Sequence, residues 1–599
     1  MLLYALIPLL PLAASVGIGL CGSRLKEKSH RIAVPSVLLS FALSVMALID
    51  VVRQGAIQIS LYSWMHSFGM NIQVGFYIDP LTAVMLLLIT GVSSVVHLYS
   101  IRYMQGDAGY PRFFAFLSLF TFSILMMVMA DNLLLLYVVW ELVGLCLYLL
   151  LSHRYQEKKA CRSAAKTFFI NRIGGVSFLL GVILVYTVLG TFNYQEIFLQ
   201  AKSHFGETLS LFGWEAQVTT VMALLIFGGA AARSAQIPFH VWLPDTMEAP
   251  TPVSALMHAG MINAGGFMIA RLSPLFALSP TAMNFIAFIG AMTTFYGTTV
   301  MLTQTDRKRM LGYSTIGQMG FMIMEVGVGA YATAIFHLAA HGLFKATLFL
   351  SAGDSVHLKS EQRVPKYGIL SVIGVALAVT IPFVLLFGLD ELIRIPNAEG
   401  HGGTILWFFA WATAFLTAFY FFQLLYSGGI HAYAPHEEGP LLSRSPIGLI
   451  LILLIVGYFT LPFIGLNWFE HFLTPVMGGS GATHEATLQW NFLVTTLLSV
   501  GVVASGSMLA YYYIAKEWTV GDRLTERLNL LYVFFLNKGY ADEFYQAVFV
   551  VPILRLAGRL RKEEDDGPID RLAKRVGDRL DHAFRARRLG SFPGSRSSS

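Results

Sequence analysis

The sequence predicts an all-α polytopic membrane protein. Three observations predict it: apolar runs that recur along nearly the whole chain, a scarcity of charge, and basic residues gathered in alternate loops. Of 599 residues, 55% are hydrophobic and 13% charged, where a soluble domain carries about 25% charged residues. The mean hydropathy of +0.63 agrees. About fifteen spans of roughly 20 residues each fit the pattern, centred near residues 11, 41, 88, 122, 142, 178, 228, 262, 292, 319, 341, 380, 415, 456 and 502.

The first run, Met1–Cys21, lacks a basic start and a clear cleavage site, so it reads as a retained span and not a signal peptide. With the N-terminus outside, the inner loops hold Arg24, Lys26 and Lys28, then Arg102 and Arg112, then Arg154, Lys158, Lys159 and Arg162. Further along they hold Arg307, Lys308 and Arg309, then Lys359, Arg363 and Lys366, and finally a basic tail. The outer stretch 467–489 has no Lys or Arg. That asymmetry predicts a cytoplasmic C-terminus. Four regions follow: N-terminal spans over 1–110, a core over 111–430, C-terminal spans with an amphipathic helix over 431–560, and a cytoplasmic tail over 561–599. The tail contributes much of the net charge of +6 and reads as a solvated segment with access to lipid headgroups. No nucleic-acid motif is present.

Three cysteines, Cys21, Cys146 and Cys161, form no CxxC pair, which argues against zinc or an iron–sulfur cluster. No dinucleotide or flavin fingerprint appears, so no cofactor is expected in this chain. His337 and His341 have metal-ligand spacing, but HLAAH lacks the glutamate of HExxH, and no metal is expected.

Ile237-Pro238-Phe239 and Ile381-Pro382-Phe383 each interrupt an apolar span. Proline removes a helical hydrogen bond, so Pro238 and Pro382 mark broken helices, and their pairing in two halves points to an internal repeat. Ionisable residues inside spans are costly and are functional by default. They are Glu141, Arg233, His258, Glu325, His337, His341 and Lys345, with Asp390 and Glu391 ending the span after Pro382. His337, His341 and Lys345 stand at i, i+4 and i+8, on one helix face. Desolvation favours the neutral form of any buried acid or base, and histidine titrates near neutrality unaided. A row of such groups bridged by water can pass protons. Static ion pairs and polar helix contacts are the alternative.

The stretches WELVGLCLYLLL, NRIGGVSFLLG, ARSAQIPFHVWLPDTMEAPTPVSALMHAG and HLAAHGLFKATLFLSAG resemble the antiporter-like subunits of the complex I superfamily. These include subunit L of bacterial complex I (NADH-quinone oxidoreductase), the corresponding subunit of Mrp antiporters, and the DabB subunit of bacterial inorganic-carbon pumps. LNKGYADEFYQAVFVVPIL is similar to the C-terminal region of subunit L. The resemblance implies two inverted five-helix repeats, a bacterial inner membrane location, and a proton path through Glu141, His258, His337, His341 and Lys345. Where subunit L carries lysine, aspartate and lysine, this chain carries Arg233, Gly175 and Leu389, and it passes from Pro568 into a polar tail without a final apolar span. Arginine does not release its proton, so Arg233 is expected to form a standing pair with Glu141 or another buried acid. MHAGMINAGGFMIARLSPLF reads closer to DabB. The reading favoured is therefore a DabB-like energy-coupling subunit whose partner is a soluble, zinc-containing, carbonic-anhydrase-like protein. The alternatives are subunit L with complex I subunits as partners, where the chain is a translocase component without a redox centre, a cation/proton antiporter subunit, and a membrane scaffold.

Overall fold

The computed structural model describes residues 2–352 apart from 68–69, 212–213 and 305–306, together with 472–473, 475–476, 529–545, 547–548, 551–552 and 555. Pro382, Asp390 and Glu391 lie outside the described residues. Two units divide at Leu528/Asn529.

The first unit opens with α1 (Leu6–Leu25) and α2 (His30–Gln54). Then come α3 (Pro80–Tyr103), α4 (Tyr110–Met129), α5 (Leu133–Leu151), α6 (Lys158–Leu189) and the short α7 (Tyr194–Gln200). Side-chain caps set several starts. Asp79 accepts from Thr82 N at 2.9 Å with Pro80 in the first turn, and Asn132 accepts from Leu135 N at 2.8 Å. α6 stops at Gly190, whose φ of 69° is left-handed. Eight helical stretches among the described residues are long and apolar enough to cross a membrane. Every residue of Thr251–Arg271 is buried, whereas α6 exposes Phe169, Ile173, Val176, Leu180 and Ile183 along one face. The core therefore gathers on the broken element at Thr251–Arg271, with α6 at its rim.

The expectation of a purely helical chain is corrected at two links. β1 (Ile57–Ser67) pairs antiparallel with β2 (Met70–Ile78), and β3 (Thr208–Leu211) with β4 (Trp214–Gln217). The physical cause is period-2 alternation: Ile57, Ile59, Ile72, Val74, Phe76 and Ile78 all point to the buried side.

α8 (Val218–Arg233) ends before Pro238, and a 3₁₀ run follows over Phe239–Glu248. Partners meet the freed carbonyls: Gln236 N donates to Ala231 O at 2.8 Å, and Trp242 Nε1 to Ala232 O at 2.9 Å. Irregular backbone at membrane depth survives where protein satisfies it. α9 (Thr251–Leu256) passes through a π-turn at Met257–Met261 into α10 (Ala264–Arg271). After α11 (Ser273–Phe276), α12 (Pro280–Thr303) and α13 (Arg307–Gly327) form a close antiparallel pair, and α14 (Tyr331–Ala352) follows. A Cβ added at Gly290 would lie 2.4 Å from Met324 N, so glycine permits that approach.

Two ion pairs tie the charged end of α6 to the 3₁₀ run: Lys159–Glu248 at 2.6 Å and Lys166–Asp245 at 2.7 Å. A buried pair joins Asp79 to Arg271. One Arg271 nitrogen meets Asp79 Oδ1 at 2.9 Å and Thr82 Oγ1 at 2.6 Å, and the other bonds Asp79 Oδ2. The second unit holds α15 (Asn529–Leu536) and α16 (Ala541–Tyr545), with Lys538 paired to Asp542 at 3.0 Å.

Candidate functional site

Among the described residues, the ionisable side chains picked out in the spans fall into two clusters of the first unit. The larger is built on α14. His337, His341 and Lys345 share its inward face and are 5%, 5% and 1% exposed. His337 sits between the Glu325 carboxylate, with Nδ1 3.1 Å from Oε2, and the Gln318 amide, 2.9 Å from Nε2. Lys345 Nζ donates to Leu311 O at 3.3 Å. His258 projects from the π-turn, a distortion common at functional sites, and stacks on Phe349 with ring centroids 4.6 Å apart. His341 lies within electrostatic reach of Lys345, His337 and His258. Both ring nitrogens of His258 and of His341 are buried without a protein partner among the described residues. A dry, unpartnered buried polar atom costs about 1–3 kcal/mol. Four such atoms stand beside a lysine, in a polar site where ordered water can meet them.

The smaller cluster joins α5, α6 and α8. Glu141 pairs with Arg172 of α6, whose Nη2 also donates to Glu141 O at 3.1 Å. This corrects the expectation that Arg233 holds Glu141. Arg233 is 1% exposed, lies over the Trp140 ring at 4.9 Å and donates to Trp140 O at 2.6 Å. Its Nε and Nη1 have no partner among the described residues. The register of α8 points the guanidinium at Trp140, one residue short of the acid. Arg172, Asn171, Gln318 and the Asp79–Arg271 pair are polar residues that sequence reasoning passed over. Arg172 had a visible signal, a lone cation inside the apolar run NRIGG. Asp79 and Arg271 had none, because 192 residues separate them.

The structure therefore brings His258, Glu325, His337, His341 and Lys345 together, and brings Glu141 and Arg233 into one cluster in which Arg172 holds the acid. Pro238 lies in the break after α8, as expected.

Among the described residues, eight helical stretches long and apolar enough to cross a membrane, one of them broken over a buried histidine, define a multi-pass membrane protein. Residues 130–428 match the family profile described as NADH:quinone oxidoreductase/Mrp antiporter, TM, and residues 64–114 match that of NADH-Ubiquinone oxidoreductase (complex I), chain 5 N-terminus. NADH-quinone oxidoreductase subunit L of Rickettsia bellii is 36% identical over 92% of this chain and 89% of its own length. NAD(P)H-quinone oxidoreductase subunit 5 from the chloroplast of Mesostigma viride is 35% identical over 91% and 88%. A chain of the Mrp complex from Dietzia sp. DQ12-45-1b superposes with a TM-score of 0.73 at 23% identity, covering all of this chain and 64% of that one. The chain belongs to the proton-translocating, antiporter-like subunits of the complex I and Mrp type. The expectation of an inorganic-carbon pump finds no support in these relatives, which are quinone oxidoreductase subunits and an Mrp complex, and it is set aside with its carbonic-anhydrase-like partner.

Proposed function

We propose that this chain is the L/5-type subunit of a proton-pumping quinone oxidoreductase, and that it moves protons through Glu141, His258, His337, His341 and Lys345. The observation that carries the reading is the buried pair of imidazoles, His258 and His341, unpartnered among the described residues and beside Lys345. The similarity to subunit L and subunit 5 along more than nine-tenths of the chain supports the choice of complex. Histidine and lysine exchange protons in turn, and Glu325 with Gln318 orients His337 at one end of the row. Electron transfer belongs to other subunits, and this chain contributes the membrane path. On this reading about fifteen spans form two inverted five-helix repeats in a bacterial inner membrane, with the N-terminus outside and the C-terminus cytoplasmic.

The test is Lys345→Met in native membranes, read as proton uptake driven by NADH and quinone. Loss of uptake in an assembled complex is expected, and full uptake would sink the proposal. A second reading, a Mrp-type cation/proton antiporter subunit, is favoured by the fold match to the Mrp complex. It predicts that deleting the gene lowers sodium tolerance and leaves quinone-linked proton uptake intact.

A further inference from the structure

Two guanidinium groups and one carboxylate meet between α5, α6 and α8. Glu141 and Gly144 are one helical turn apart on α5, and Arg172 and Gly175 are one turn apart on α6, so each pair shares a face. A Cβ placed on Gly144 would lie 2.9 Å from Arg172 Nη2 and 3.3 Å from Arg233 Nη1. Both cations therefore flank the same bare stretch of α5, next to the acid. Among the described residues, Glu141 is nevertheless paired with Arg172 alone, and Arg233 keeps Nε and Nη1 unpartnered.

The backbone opposite explains the choice. A Cβ placed on Gly175 would lie 2.2 Å from Glu141 Oε1 and 3.1 Å from its Cδ. The carboxylate thus rests directly on the α6 backbone, in space that any side chain at 175 would fill. What such a side chain would strike is the far end of a flexible acid, so the acid moves and the helices stay. Arg233 flanks the same stretch of α5 as a second cation.

We infer that Gly175 is a positioning residue that assigns Glu141 to Arg172 and withholds it from Arg233. The inference deepens the proton-path reading, because it sets the resting partner of that path's N-terminal acid. The pairing itself is measurable without transport.

The experiment uses the full chain, purified in detergent, and reads thermal unfolding. Glu141→Gln is combined with Arg172→Gln and, separately, with Arg233→Gln, each pair closed as a double-mutant cycle. With Gly175 present, the Tm shifts of the Glu141/Arg172 pair should be strongly non-additive and those of the Glu141/Arg233 pair additive. In a Gly175→Ala background the pattern should reverse. The same coupling partner in both backgrounds, or Arg233 coupled from the outset, overturns the inference. Should Gly175→Ala not fold, Glu141→Asp in the same chain shortens the acid and should restore folding. Failure to restore it would mean that Gly175 serves only helix packing, and the inference is lost. If the couplings reverse as expected while Glu141→Gln leaves proton transport intact, the pairing stands and the proton-path reading falls.

Discussion

Replacing Arg271 by methionine strands the Asp79 carboxylate in a site where it is 0% exposed and Arg271 itself only 3%. Asp79 would keep the N–H of Thr82 at 2.9 Å but lose both arms of the guanidinium. Removing one member of a buried pair costs about 3–5 kcal/mol, because the other remains charged or must be neutralised in place. Nothing here discounts that figure for solvent screening, since neither partner reaches water. Thr82 also loses the N–H that its hydroxyl accepts at 2.6 Å, which places the cost at the upper end. Asp79→Asn should cost nearly as much for the converse reason, while keeping the cap on α3. The double change Asp79→Leu with Arg271→Met removes both charges and should recover most of the loss. The assay is equilibrium unfolding of the purified chain by detergent titration, followed by tryptophan fluorescence. If each single change costs under about 1 kcal/mol, the range of an exposed pair, or if the double change costs the sum of the two, the buried-pair argument is wrong.

Other expectations follow from the same geometry. Glu141→Gln should abolish coupled proton uptake with assembly intact, because the amide keeps the shape and cannot ionise; uptake at the parent rate would remove Glu141 from the path. Lys345→Arg should be as damaging as Lys345→Met, since arginine keeps the charge but does not cycle its proton, and normal flux in the Arg variant would make Lys345 a fixed charge. His153 pairs with Asp107 at 3.3 Å in the turn after α5, outside the spans. Burial holds its imidazole below the ordinary value of 6.5, against the opposing pull of Asp107. The unfolded chain then binds more protons than the folded one, so stability is full above pH 6.5 and declines as pH falls below it. His153→Gln should flatten that decline in a pH series of unfolding temperatures, and an unchanged slope would remove His153 as its source.

The helices were legible because burial in lipid demands long apolar runs, and each expected span up to residue 341 falls on a helix except the one near 262, which falls on the broken element Thr251–Arg271. The α14 row was legible for a similar reason, since i, i+4 arithmetic holds whatever the helix packs against. The hairpin at Ile57–Ile78 was also written in the sequence, as alternation, but a search for apolar runs passes over it. Pairing was not legible. Glu141 could have met Arg172 or Arg233, and the sequence does not show how α6 and α8 are rotated about their axes or which acid rests on the Gly175 backbone. Asp79 and Arg271 needed the whole intervening chain to fold before their proximity existed.

The length of α6 has a mechanical meaning. Its 32 residues make a rod about 48 Å long, longer than the roughly 30 Å hydrocarbon layer, so it must tilt or project beyond it. Its Lys159 and Lys166 end grips the 3₁₀ run that follows the break, and its middle carries Arg172 and Gly175 against Glu141. One unbroken helix therefore contacts both the first titratable cluster and the segment that follows the break.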